Sequence, residues 1–139
     1  MFRIQVAVVS VSLAVMLASG LARGDVGTGI DINMLIVSGY PSPSWREIDL
    51  KEIENIHNKI SSLPDAVPPS WPNAGYRGFQ LIPNGRDATL PSRVRVFDGT
   101  IEITAIRNGP PTYYKDTKGL ELYLRQRAKD LGVLREWAR

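Results

Sequence analysis

The stretch RVRVFDGTIEIT, residues 93–104, decides the fold predicted for this chain. Asp98-Gly99 at its centre is a strong signal for a two-residue hairpin turn, because both residues of such a turn take positive φ angles. The runs on either side alternate polar and apolar residues with the period of a strand. A two-residue turn also fixes the register, so we expect an exposed face on which Arg95 pairs with Glu102. The face turned towards the core should carry Val94, Val96, Ile101 and Ile103.

Two segments upstream of the hairpin also have the composition of strands. Residues 30–37 begin with alternation and end in an apolar run, which is typical of a strand that becomes buried on both faces. Prolines in the stretch that follows, residues 38–44, should end this strand. Residues 76–82 alternate again and precede the turn signal Asn84-Gly85. Together with the two strands of the hairpin, the sequence therefore predicts four strands.

The first helix is predicted between these strands, beginning after Asp49. Asp49 can act as the N-cap, Glu52 lies three residues on and can close a capping box, and Ile48 can pack on Ile53. Pro64 should end the helix, and residues 64–73, with four prolines, should form an extended connector. One apolar stripe should consist of Leu50, Ile53, Ile56, Ile60 and Leu63.

The second helix is predicted to begin near Asp116 or Thr117. Gly132 can act as its C-cap, which would leave residues 133–139 as a tail that folds back. If the helix instead continues, a second apolar stripe forms from Leu122, Val133 and Trp137. The buried side should carry Leu120, Leu124, Ala128 and Leu131.

The element order β-α-β-β-β-α predicts an α+β fold. We expect a two-layer sandwich in which both helices lie on one face of a largely antiparallel sheet. Residues 23–139 have the length of a single small α+β domain. Residues 1–22 are predicted to be a signal peptide.

The predicted signal peptide combines a basic residue, Arg3, with an apolar run over residues 4–18 and small residues at 18–22. An uncleaved anchor and a first strand of the fold are the alternatives. The run is short and interrupted for a membrane span, so we expect no stable span after cleavage. Cysteines and Asn-x-Ser/Thr sequons are both missing from the sequence. Because of the predicted signal peptide, we expect the protein to be exported, to the periplasm or the extracellular medium.

Composition excludes several functional classes. A chain without cysteine has no thiol catalysis and no thiolate metal site. The formal net charge is +3 and there is no dense basic run, so no nucleic-acid partner is expected. His57 is the only histidine, and neither a G-x-S-x-G motif nor a phosphate-binding loop is present. We therefore expect no cofactor and no metal. The enzymatic alternative is a small secreted or periplasmic hydrolase that uses carboxylates or His57.

Aromatic residues near glycine, proline and arginine suggest a binding surface. Rigid aromatic side chains beside arginine are typical of binding hot spots, although they also close the edges of small cores. Glycines near Arg77 allow close approach of a ligand, and a bulge explains them equally well. The candidate binding residues are Tyr40, Trp45, Tyr76, Arg77 and Tyr113.

Three functions remain open at this point. The leading hypothesis is an exported, non-enzymatic binding domain for a protein or envelope partner. The second is the hydrolase, and the third is a structural subunit that associates through the C-terminal helix. Arg93 and Arg95 are further candidates for holding an anionic group, with pairing to Glu102 and ordinary solvation as the alternative.

Overall fold

A computed structural model describes residues 29–37, 41–84 and 90–134. Within these residues the chain forms an α+β fold, as the sequence predicts, with a six-stranded antiparallel sheet and two helices. The spatial order of the strands is β2-β1-β3-β4-β5-β6. The strands are β1 (Gly29–Val37), β2 (Ser44–Glu47), β3 (Gly75–Asn84), β4 (Arg93–Phe97), β5 (Thr100–Thr104) and β6 (Thr112–Lys115). The helices are α1 (Leu50–Lys59), between β2 and β3, and α2 (Leu120–Asp130), after β6.

The central hairpin has the predicted register. Arg95 lies opposite Glu102 across β4 and β5. Asp98 and Gly99 have φ angles of 48° and 82°, which are the positive values that the two-residue turn needs. The predicted inward face is buried at Val94, Val96 and Ile101, and Ile103 packs partly buried against the core. Local turn chemistry therefore determines this part of the sheet.

The two edge strands were not predicted. β2 has four residues and pairs only with β1, and β6 also has four residues and pairs with β5. The predicted connector covers the far side of β6, where Asp65 forms a bridge with Tyr114 and Lys115 N donates to Pro64 O at 2.8 Å. Such short segments carry little periodicity, and they become strands only because a neighbouring strand is present.

Helix α1 begins as predicted and ends earlier. Lys51 N donates to the Asp49 carboxylate at 2.9 Å, which confirms the N-cap. Glu52 does not close a capping box, because its carboxylate accepts a hydrogen bond from the Tyr123 hydroxyl on α2. Ile48 and Leu50 are both exposed, so neither of them joins the core, contrary to the prediction. The helix ends at Lys59 rather than at Pro64.

Helix α2 begins four residues after Asp116. The Asp116 carboxylate accepts hydrogen bonds from Leu120 N at 2.7 Å and Glu121 N at 3.0 Å, so it caps the helix from the preceding turn. Leu120, Leu124 and Ala128 are fully buried, as predicted. The predicted fourth member of that face, Leu131, is exposed because it lies beyond the last helical turn.

The C-terminal end of α2 is set by Gly132. Its φ angle is 75°, Gly132 N donates to Lys129 O at 3.0 Å, and Val133 N donates to Ala128 O at 3.1 Å. These bonds form a Schellman motif, which ends the helix. The alternative in which the helix continues through Val133 is therefore wrong. Trp137 lies outside the described residues.

One hydrophobic core joins the strands and both helices. Phe79 on β3 is fully buried, and its ring is met edge-on by Trp45 at 6.2 Å and Tyr76 at 6.0 Å between centroids. Ile53 and Ile56 of α1 belong to the same cluster as Leu120 and Leu124 of α2. The placement of both helices on one face of the sheet stays a prediction. In the described part of the chain, neither helix is long and apolar enough to cross a bilayer.

Candidate functional site

The sheet face that points away from the core is rich in arginine. Because side chains alternate along a strand, Arg93 and Arg95 lie opposite to Val94 and Val96, which enter the core. Glu102 lies across from Arg95, and Tyr113 across from Glu102. We call this surface the arginine face. It comprises Trp71, Arg77, Arg93, Arg95, Glu102 and Tyr113.

Trp71 covers part of the arginine face. The Arg95 guanidinium carbon lies 4.0 Å from the centroid of the Trp71 ring, and the rings of Trp71 and Phe97 are 5.8 Å apart. The connector thus passes over the sheet, and only 17% of the Arg95 side chain and 6% of the Glu102 side chain are exposed. The prediction of an exposed Arg95–Glu102 pair is therefore wrong in its burial, although its register is right.

Charge is unevenly distributed on this face. The Glu102 carboxylate oxygen Oε1 lies 3.6 Å from Arg93 Nη2 and 3.9 Å from Arg95 Nη1. Both distances exceed the 2.7–2.9 Å or so of a charge-assisted hydrogen bond. The Nε atoms of Arg77, Arg93 and Arg95 are buried and have no hydrogen-bond partner among the described residues. Arg93 and Arg95 therefore share a single carboxylate, and all three arginines leave their Nε donors unused.

The pKa of Arg95 reflects this crowding. Burial lowers the pKa of Arg95, the charges of Arg93 and Arg77 lower it further, and Glu102 acts in the opposite direction. The effect of Arg77 shows that it belongs to the same cluster. Burial raises the pKa of the Tyr113 hydroxyl, and the Glu102 carboxylate adds to that increase. Arginine stays protonated despite such shifts, so the face remains cationic.

The five predicted binding residues do not form one surface. Arg77 and Tyr113 lie close enough to Arg95 to influence its pKa, and the structure brings them together on the arginine face. Trp45 is instead half-buried against Phe79. Tyr40 lies outside the described residues.

Tyr76 also packs against the core, and it holds α2 to the sheet. Its hydroxyl donates to Glu121 Oε2 at 2.5 Å, and the Arg125 guanidinium carbon lies 4.6 Å from its ring centroid. Burial and the Glu121 carboxylate raise the pKa of Tyr76. The structure therefore gives both Tyr76 and Trp45 packing roles.

The close approach of strands explains the glycine next to Arg77. Gly78 has a φ angle of 89°, and a methyl group at this position would overlap the carbonyl oxygen of Val96 on β4. The β1–β3 register also shifts between Met34 and Ile36, opposite this segment. A bulge with tight strand contact accounts for Gly78.

Trp71 belongs to the arginine face but is not among the five candidate binding residues predicted from the sequence. It lies in a proline-rich connector, and only the path of that connector over the sheet brings the indole to Arg95. An aromatic residue in an extended segment indicates contact with some surface. The partner becomes known only from the tertiary structure.

Residues of the predicted hydrolase alternative have other contacts. Glu47 binds Arg127, Asp31 binds Arg46, and Asp116 caps α2. His57 is half-buried on α1. Among the described residues, no group of three or more histidine, aspartate or glutamate side chains is arranged to hold a metal ion. The hydrolase stays a prediction.

Two depressions adjoin these features. One, of about 640 Å³, lies at the end of the β4–β5 hairpin that is far from its turn, and Arg93 contributes to its wall. The other, of about 590 Å³, is a mostly apolar groove between β1, β3 and α2.

Comparison of the chain with protein-family models, with curated proteins and with solved structures gave no match.

Proposed function

We propose that this protein is an exported, non-enzymatic binding domain that holds an acidic protein partner on the arginine face. The observation that carries the proposal is a cluster of three arginines, Arg77, Arg93 and Arg95, whose Nε donors have no partner among the described residues. Arg93 and Arg95 share one carboxylate, that of Glu102. Like charges repel, and unused buried donors cost free energy. Carboxylates of a partner would relieve both effects.

The half-buried setting strengthens such contacts. Charge-assisted hydrogen bonds between arginine and carboxylate are stronger than neutral ones, and a reduced local dielectric increases their strength further. Trp71 fixes Arg95 from one side, so the guanidinium loses little freedom on binding. Arginine and aromatic residues together are also the side chains that dominate protein–protein hot spots. These points favour a protein as the partner.

Export is the second part of the proposal and rests on residues 1–22. Their basic start, apolar run and small residues at the end have the pattern of a signal peptide. The partner would then be met in the periplasm or outside the cell. Fusion of residues 1–22 to a reporter that is active only after export tests this part, and a reporter that stays inactive would contradict it.

Calorimetric titration with poly-L-glutamate tests the binding surface. Arg77→Met should weaken binding roughly tenfold or more, because one charge-assisted hydrogen bond to the ligand is lost. Arg46→Met is the matched control, because Arg46 carries the same charge on β2 and is already paired with Asp31 at 2.8 Å. Equal weakening by both variants would contradict the proposal. Tighter binding of duplex DNA than of poly-L-glutamate would contradict it as well.

A structural subunit remains the second candidate, because α2 exposes apolar side chains. Leu122 is 73% exposed and lines the apolar groove, and Leu131 is exposed near the end of the helix. A second copy of the chain could cover this surface, since α2 carries both acidic and basic residues for mutual pairing. Light scattering of the wild type and of Leu122→Asp tests this. A wild type that is monomeric at high concentration would exclude a homo-oligomer.

A further inference from the structure

The depression at the far end of the hairpin has the properties of a separate ligand site. We infer that it binds a phosphate or sulfate group through Arg93, Thr104 and Arg107, an inference that rests on the proposed function because Arg93 also belongs to the arginine face. The ligand class is a small molecule or a polymer end that carries a tetrahedral oxyanion. Of the residues that line this site, only Arg93 belongs to the arginine face.

The strongest observation is the hydroxyl group of Thr104. Thr104 is the direct cross-strand partner of Arg93 and is 5% exposed. Its Oγ1 is buried and has no hydrogen-bond partner among the described residues, although Thr104 lines the depression. A buried hydroxyl without a partner costs free energy, and a ligand oxygen would remove that cost.

The backbone around the site is held in place. Ser92 Oγ donates to Thr104 O at 2.8 Å and Ser92 N donates to Ala105 O at 3.4 Å, which ties the start of β4 to the end of β5. On the other side, Gly109 N donates to Ile106 O at 2.8 Å and closes a tight turn. The walls of the depression are therefore formed before a ligand arrives.

The charges at the site favour an anion. Arg93 Nη2 is 3.6 Å from Glu102, and no carboxylate of a described residue lies within 4.0 Å of the Arg107 guanidinium. Two guanidinium groups and one hydroxyl offer donors from two strands and a turn. A tetrahedral oxyanion presents at least three oxygens in different directions, whereas the two oxygens of a carboxylate lie in one plane. This donor set therefore favours phosphate or sulfate.

The size of the site suits a small ligand. Its volume of about 640 Å³ is within the usual range for small-molecule sites. Ile82 contributes apolar surface to its wall and is partly exposed. A phosphate ester with an apolar substituent can therefore bind both parts of the site. Phenyl phosphate is a probe with these properties.

Calorimetric titration of the full chain with phenyl phosphate tests the inference. We expect saturable binding, in the order phenyl phosphate, phenyl sulfate, benzoate. Arg107→Ala should weaken phenyl phosphate binding about tenfold or more, since a charge-assisted hydrogen bond is removed. Thr104→Val should weaken it several-fold, and Thr104→Ser should restore it because the hydroxyl is kept.

Three outcomes would overturn the inference. In the first, benzoate binds as tightly as phenyl phosphate. In the second, Arg107→Ala weakens binding no more than the control Arg46→Ala does. In the third, Thr104→Ser binds phenyl phosphate as weakly as Thr104→Val. Failure here is distinguishable from failure of the proposed function. Arg107→Ala should leave poly-L-glutamate binding unchanged within about twofold, and Arg77→Met should leave phenyl phosphate binding unchanged.

Discussion

Replacing Arg127 with methionine should lower the free energy of unfolding by about 3 to 5 kcal/mol. Arg127 on α2 binds the Glu47 carboxylate of β2 in two places, with Nε 2.9 Å from Oε2 and Nη2 3.1 Å from Oε1. Glu47 is only 3% exposed, so without Arg127 it would be a buried charge with no counterion. Methionine keeps most of the apolar stem, so the loss reports mainly on the charge.

A second ion pair on the same strand provides the control. Arg46 Nε lies 2.8 Å from Asp31 Oδ1, which is nearly the same distance, but the two side chains are 58% and 40% exposed. Arg46→Met should therefore cost only about 0.2 to 1 kcal/mol, because water replaces the lost partner. Both variants remove a guanidinium group whose Nε lies within 3 Å of a carboxylate oxygen; the pairs differ in burial and in the second contact that Arg127 makes through Nη2.

Urea denaturation monitored by circular dichroism measures the loss of unfolding free energy in both variants. With a typical slope of about 1 to 2 kcal/mol per molar urea, Arg127→Met should lower the midpoint by roughly 1.5 M or more. The double variant Glu47→Gln/Arg127→Met should recover much of the stability, because no uncompensated charge stays buried. The reasoning is refuted if Arg127→Met costs no more than Arg46→Met, or if the double variant is no more stable than Arg127→Met.

Two other perturbations have outcomes that the structure determines. Gly78→Ala should lower the free energy of unfolding by about 3 kcal/mol or more, since it combines positive-φ strain with overlap on the Val96 carbonyl oxygen. Gly99→Ala, at a φ of 82° with no atom within 4 Å of the added methyl group, should lower it by about 1 to 2 kcal/mol. Equal losses in thermal or urea unfolding would show that the strands move apart to accommodate the methyl group at position 78. Burial and the Glu52 carboxylate raise the pKa of Tyr123, so its contribution to stability is complete below the ordinary tyrosine pKa of 10.0 and declines as pH rises above it. Tyr123→Phe should reduce this alkaline loss in urea titrations, and an unchanged pH profile would contradict the assignment.

The sequence was sufficient where structure depends on neighbouring residues. Asp98-Gly99 fixed the hairpin, Asp49 fixed the start of α1, and Gly132 fixed the end of α2. Each of these signals acts through backbone groups a few residues away. The α+β class followed from their order along the chain.

Prediction failed where structure depends on distant contacts. Glu52 was assigned to a local capping box, but the Tyr123 hydroxyl on the other helix binds it instead. The edge strands β2 and β6 exist only because β1 and β5 offer free edges. Local patterns do not contain this information.

The candidate binding residues show the same division. Aromatic and arginine clustering selected Arg77 and Tyr113, which the structure places near Arg95; their role in binding stays a prediction. It also identified Trp45, which packs against the core, because composition does not reveal which face of a strand is covered. Trp71 was not assigned for the same reason.

Mapping poly-L-glutamate onto the protein by NMR tests the central claim most directly. Titration into isotope-labelled protein would show which amide and side-chain signals change. We predict the largest changes at the Nε–H signals of Arg77, Arg93 and Arg95 and at the indole of Trp71. Changes centred on the apolar groove, at Leu122, Arg125 and Lys129, would contradict the claim and assign binding to α2 instead.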